Sequence, residues 1–204
     1  KNGNLQIKKD KKINLKSDFI SEIQINDKNI VNYLPLFKNL NLESNEIVLN
    51  ANIDNFLDIT FDETFKVVNY VYTNKGKVKN LFFKLNKSFK NSYLENEVKY
   101  LYLKNSNFNS RYALDKKNYI NSSGTYSLND KNYQNYDFKN RFQDKFSNIN
   151  LNLDFSEKVK IDFLNYKKND SNTAQIFLDV NTTKSLIELN KLNYTEDKNS
   201  IFIE

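Results

Sequence analysis

Strict alternation of apolar and polar residues is the feature that most limits what this chain can become. Asn150–Phe155 puts Leu151, Leu153 and Phe155 on one side of an extended segment and Asn150, Asn152 and Asp154 on the other. Lys158–Phe163 repeats the pattern with Val159, Ile161 and Phe163, and Ala174–Val180 repeats it with Ile176, Leu178 and Val180. A period of two belongs to a β-strand with one buried face, because successive side chains leave a pleated backbone on opposite sides. Short polar stretches separate these runs. Ser156-Glu157 reads as a hairpin turn, and 167–172, 181–184 and 196–199 read as turns by composition. Short turns make sequential strands neighbours, and a buried face pins their register. The nine apolar residues from Leu151 to Val180 are therefore expected to form one continuous surface across three adjacent strands.

The rest of the chain carries the same texture less cleanly. Strands are predicted at Asn4–Lys8, Lys12–Lys16, Phe19–Ile25, Glu46–Asn52, Phe56–Phe61, Phe65–Thr73, Lys77–Asn86 and Val98–Lys104, then at Asn118–Leu128 and Tyr133–Phe142. Asn29–Lys38 has apolar residues at spacings of three and four, but Pro35 breaks it, and Ser92–Val98 could supply one helical turn. With three Ala against 16 Phe and 13 Tyr, strand should exceed helix several-fold. The expected class is all-β, an antiparallel meander with at most one or two short helices and a possible sub-boundary near 105–120. Strands with one apolar face can close as a sandwich. They can also curl into an open sheet whose apolar face lines a groove.

Composition removes whole classes of chemistry. The chain has no His, Cys, Met or Trp. It cannot build by itself a Ser-His-Asp triad, a cysteine nucleophile, a His/Cys zinc site, an iron–sulfur cluster or a disulfide. Asp54, Asp58, Asp62 and Glu63 are the densest carboxylates. The three aspartates have even spacing on one strand face, and the alternation makes that face the solvent side. Gly3, Gly76 and Gly124 stand apart, so no phosphate-cradling loop exists, and no acidic run precedes a glycine as in a calcium loop. No catalytic residue, metal or cofactor is expected.

The formal charge is +6, with 29 Lys but only two Arg. The lysines are spread along the chain among acidic residues, and Lys8-Lys-Asp-Lys-Lys12 is the one dense basic cluster. Together with 37 Asn, this usage follows AT-rich codons. Scarce Arg argues against nucleic acid as a partner, since Arg is the usual bidentate reader of phosphates and bases. No apolar run approaches the roughly 18–20 residues of a membrane-spanning helix. The chain starts at Lys1 and holds no Met, so it reads as an internal fragment of a longer protein.

Residues 123–204 resemble the AsmA-like family of bacterial envelope proteins, of the TamB and YhdP type. Ser123-Gly-Thr-Tyr-Ser-Leu128 is similar to the family's x-G-x-Y-x-L strand, and Asn148–Phe155 with Lys158–Tyr166 is similar to its paired alternating strands. Asp162–Lys168 resembles the strand and turn near a repeat's end, and Leu189–Ile203 resembles the closing hairpin. The resemblance implies an elongated periplasmic sheet, held in the inner membrane by a segment outside this fragment. Its apolar groove would carry phospholipid acyl chains between inner and outer membranes. On that basis Leu151, Leu153, Phe155, Val159, Ile161, Phe163, Ile176, Leu178 and Val180 are the candidate groove residues. The alternative is a non-enzymatic structural or adhesive β-domain of a bacterial surface protein, with a filled core.

Overall fold

Short connections leave each strand one natural partner, the strand next in sequence, and the chain takes that option almost throughout. The computed structural model describes residues 3–27, 44–129, 132–169 and 171–204. Its strands are β1 (Gly3–Lys9), β2 (Ile13–Asp27), β3 (Ser44–Phe61), β4 (Val67–Phe89), β5 (Val98–Ala113), β6 (Asn118–Leu128), β7 (Gln134–Gln143), β8 (Phe146–Phe155), β9 (Lys160–Ile161), β10 (Tyr166–Lys167), β11 (Ala174–Thr182), β12 (Ile187–Glu196) and β13 (Asn199–Ile203). Eleven of them form one antiparallel sheet in the order β1 to β8, then β11, β12 and β13. β1 and β13 are its two edges, so the sheet is not closed into a barrel.

One face of this sheet is mostly apolar from β2 to β12. Cross-strand partners share a face, and Leu192, Leu178, Leu151, Phe138, Ser122, Phe108, Gly76, Ile53 and Ser21 partner one another in sequence from β12 to β2. Ile47, Ala51, Phe83, Tyr126, Ala174 and Tyr194 on this inner face are buried. Most other apolar side chains on it are half-buried. Among paired positions of the sheet, the outer face holds the arginines, the lysines other than Lys9 and most of the asparagines.

The structure corrects several expectations. Lys12–Lys16 and Phe19–Ile25 fall in one strand apart from Lys12, as do Glu46–Asn52 with Phe56–Phe61, and Phe65–Thr73 with Lys77–Asn86 apart from Phe65 and Lys66. The polar residues read as breaks, among them Asn55, Asn74 and Gly76, sit inside continuous ladders. Ser92–Val98 is not helical; it is a turn with an isolated bridge from Leu94 to Val159. Asn29–Lys38 lies outside the described residues. The Ser156-Glu157 hairpin does not form. β8 pairs instead with β11, and residues 156–169 and 171–173 leave the sheet, where among the described residues β9 and β10 pair with each other around a 3-10 turn at Asp162–Leu164. Residues 105–120 cover the end of β5, a turn and the start of β6, within the one sheet.

Those apparent breaks mark where the sheet bends. β4 carries an extra residue at Lys79 relative to β3, and β5 carries one at Asn105–Ser106 relative to β6. The two irregularities face each other, because Val78 pairs with Ser106 and Asn80 with Lys104. Bulges bend a strand and sharpen its twist, so neighbouring strands crease at the same level. Small residues occupy the crease. A Cβ on Gly76 would lie 2.1 Å from the Asn52 carbonyl oxygen, and one on Gly124 would lie 2.6 Å from the Ser106 Cα. Either substitution must push backbone apart. Gly76→Ala and Gly124→Ala are each expected to lower stability by about 1–3 kcal/mol, the usual range for overpacking. Urea unfolding followed by circular dichroism measures this, and an unchanged midpoint would contradict the crease.

Candidate functional site

The inner face is concave. Tyr126 on β6 reaches past β7 and donates its hydroxyl to the Asp154 carbonyl of β8 at 2.7 Å. Rings of Tyr112 on β5 and Phe142 on β7 approach to 5.6 Å across β6. On a flat sheet, side chains two strands apart would be separated by roughly 10 Å. Their convergence accords with strands that curl around the apolar side. Among the described residues, strands in extensive contact are sheet neighbours, apart from the β9–β10 pair, and no second layer of strands packs on the face. The result is an open trough.

Its lining is almost free of charge. Among the paired positions from β2 to β12 whose side chains are described, the inner face has no Lys or Arg, and its one carboxylate is Glu196. One polar band crosses it at the crease. Asn74 Nδ2 donates to Asn55 Oδ1 at 2.6 Å, Tyr72 donates to the same oxygen at 3.0 Å, and Ser110 donates to Asn74 Oδ1 at 3.0 Å. Asn55 Nδ2 in turn donates to Ser21 Oγ at 2.9 Å. Asn55, Asn74 and Ser110 are buried, and these mutual bonds satisfy them where water does not reach.

Residues 156–169 and 171–173 form a strap along one rim of the trough. At one end it touches the β4–β5 connection through the Leu94–Val159 bridge. There the Lys160 amide donates to the Tyr93 carbonyl at 3.0 Å, and Lys167 pairs with Glu95 at 3.3 Å. At the other end it is anchored on β12. Tyr166 donates to Glu196, the Asn169 amide donates to the same carboxylate at 2.9 Å, and the Tyr194 and Tyr166 hydroxyls lie 2.8 Å apart. Tyr166 has one proton and gives it to Glu196, so Tyr194 donates to Tyr166. Lys168, 1% exposed, donates to the Ser156 and Asn169 carbonyls. Burial pushes the Tyr166 and Tyr126 hydroxyls well above the ordinary phenol range.

The predicted groove residues separate into two groups. Leu153 faces Ile176 and Leu151 faces Leu178, with Phe155 opposite Ala174 and Val180 opposite Ile149, so these six line the trough together. Val159, Ile161 and Phe163 do not join them. They lie in the strap, and Phe163 is 79% exposed. Their alternation matches a strand, but the strap leaves the sheet where the expected hairpin would have kept it in. Asp54 and Asp58 are on the outer face, as the alternation implied. Asp58 pairs with Lys16 at 2.9 Å, which holds its carboxyl below the usual range. Asp62 sits in the β3–β4 turn, accepting from Thr64 and Lys66. Among the described residues no cluster of acidic groups could hold a metal, and no helix is long and apolar enough to cross a membrane. Sequence reasoning missed the Tyr126, Tyr166, Tyr194 and Glu196 anchors. Glu196 ends a run alternating with Leu192 and Tyr194, which was the available sign that it points inward.

No protein family, curated protein or solved structure matches this chain.

The Glu196 anchor makes the strap sensitive to acid. Burial alone would raise its pKa, but the Tyr166 hydroxyl, the Asn169 amide, the Asn172 side chain and the nearby Lys168 charge outweigh it, and the net shift is below 4.5. A carboxylate depressed on folding contributes stability that is present above its unfolded value and lost as pH falls through its folded value. Stability should therefore decline below about pH 4.5, with Glu196→Gln flattening that decline and costing about 1–3 kcal/mol at pH 7. Urea midpoints between pH 3 and 7 for both proteins test this. Parallel curves would assign the acid sensitivity elsewhere.

Proposed function

We propose that this chain is a segment of a non-enzymatic, periplasmic lipid-bridging protein similar to AsmA-like envelope proteins, anchored in the inner membrane by a segment outside it. In this proposal its trough carries phospholipid acyl chains between inner and outer membranes. The observation that carries the proposal is a largely apolar inner face, with no Lys or Arg at its paired positions, running across the sheet from β2 to β12 with no second layer of strands over it among the described residues. An acyl chain suits such a face because its burial is non-directional, at about 0.8 kcal/mol per methylene. Eight steps between the nine strands from β2 to β12 at about 4.8 Å make a trough of roughly 38 Å. That is about two and a half times the ~15 Å depth of one leaflet's hydrocarbon, so acyl chains could follow one another along it. The lack of charge on the lining leaves head groups in water at the rims, where they need not be desolvated.

A photoreactive phenylalanine analogue at Phe138, which faces Leu151, reports occupancy directly. The expected result is crosslinking to phospholipid in cell envelopes, abolished by Leu178→Asp with the strand content retained, because the charge sits at the floor of an open trough. The structural or adhesive alternative predicts the opposite pair. The parent would show no lipid crosslink, and Leu178→Asp would unfold the chain, since an unpaired charge in a filled core costs several kcal/mol.

A further inference from the structure

In a meander, alternate turns fall on the same side of the sheet. The β1–β2, β3–β4, β5–β6, β7–β8 and β11–β12 turns all lie on the rim opposite the strap. These five tips, residues 8–12, 62–67, 114–117, 144–146 and 183–187, hold nine lysines against five carboxylates. Among the described residues Lys116, paired with Asp144 at 2.8 Å, is the one lysine of these tips in an ion pair. The basic cluster 8–12 is thus one part of a longer basic edge.

The same tips display large apolar side chains. Phe65 is 72% exposed and Ile187 77%, and Val67, Leu114, Phe146 and Leu186 are exposed beside them. Phe65 is also held in a left-handed conformation, φ 60°. That region is unfavourable for a bulky residue, and Asn or Gly would occupy it more cheaply. Asp62 fixes the turn around it: its carboxylate accepts from the Thr64 and Lys66 amides, and its carbonyl accepts from the Phe65 amide. An aromatic presented to solvent at the expense of backbone strain points to a role outside the fold. The strap rim also exposes Phe89, Tyr93, Phe163 and Leu164, and it differs in charge. Its described turns carry six lysines against five carboxylates, with Lys160 and Lys167 in ion pairs and Lys168 buried.

We infer that the rim formed by these five tips docks on an anionic lipid bilayer surface, its lysines facing the head groups and Phe65 and Ile187 inserting beneath them. Lysines near such a surface attract it electrostatically, and neighbouring aromatic and aliphatic side chains enter the head-group boundary. Nucleic acid fits less well, because nothing in phosphate recognition uses protruding Ile, Leu and Val side chains and these tips have no Arg. The inference does not require the trough to hold lipid.

Co-sedimentation of the full chain with 100 nm vesicles tests it, comparing phosphatidylcholine alone with a 3:1 mixture of phosphatidylcholine and phosphatidylglycerol. Binding is expected to the mixed vesicles only, weakening from 50 to 500 mM salt. Replacing Lys8, Lys9, Lys11 and Lys12 by Gln should weaken it by about two orders of magnitude or more, at about fivefold per lysine. Phe65→Asn should weaken it at least several-fold while keeping the fold, because Asn accepts the left-handed turn. Phe89→Ser, on the strap rim, should leave it unchanged. Equal binding to both vesicles, no binding, indifference to the rim substitutions, or tighter retention on duplex DNA than on vesicles would each overturn the inference. Leu178→Asp separates the two sites: adsorption lost there but insensitive to the rim substitutions would refute the rim and leave the trough proposal standing.

Discussion

Everything in this molecule depends on keeping one parity across eleven strands. A residue inserted into a single strand would throw its apolar set onto the solvent face from that point on. β4 and β5 both change phase, from Gly76 and Val78 to Leu81 and Phe83, and from Leu101 and Leu103 to Ser106 and Phe108. The irregularities lie opposite each other, so the ladder between the two strands stays in step and the inner face remains apolar on both sides. β12 does the same at Asn190, letting Leu189 and Leu192 both face β11's apolar row. The bulges keep the face continuous and also bend it.

Asparagine supplies much of what glycine provides elsewhere. Among the described residues, five of the seven non-glycine positions with positive φ are Asn or Asp, including Asn105 at the β5 bulge and Asn129, Asp144, Asn165 and Asp197 at turns. These residues tolerate the left-handed region better than others. Asparagine also cross-links the outer face. Asn148 donates to Asp179 and Asn181, Asn181 donates to Asn190, and Asn190 donates back to Asp179, knitting β8, β11 and β12. The fold thus uses many of the chain's abundant asparagines. Tyrosine is used similarly on Phe82, whose ring lies 5.9 and 5.0 Å from Tyr100 and Tyr102 on the outer face.

The trough and its two rims divide the proposed work. The strap rim is tied down by Tyr166, Glu196 and a buried Lys168, and it covers inner residues at β12. The opposite rim leaves its lysines and apolar tips in solvent. Between them, the lining offers acyl chains burial and offers head groups no partner. A rim that rests on a bilayer would bring the lining close to a source of lipid, so the two proposals support each other without depending on each other.

Periodicity by itself determined the class of fold, the antiparallel order of most strands and the inward set Leu151, Leu153, Phe155, Ile176, Leu178 and Val180, because alternation assigns a side to each residue and short turns assign neighbours. It also placed Asp54 and Asp58 on the solvent side. It could not distinguish a strand within the sheet from one that leaves it, so Val159, Ile161 and Phe163 were grouped with the wrong surface. Nor could it show that Asn55, Asn74 and Gly76 interrupt only the pattern and not the strand. Those positions are small or polar because the backbone bends and closes in there, which is a property of several strands together. Whether the apolar faces would close on one another or stay open was likewise decided in three dimensions, by paired bulges and by tyrosines reaching across neighbouring strands. Such contacts join residues far apart in sequence, and no local pattern encodes them.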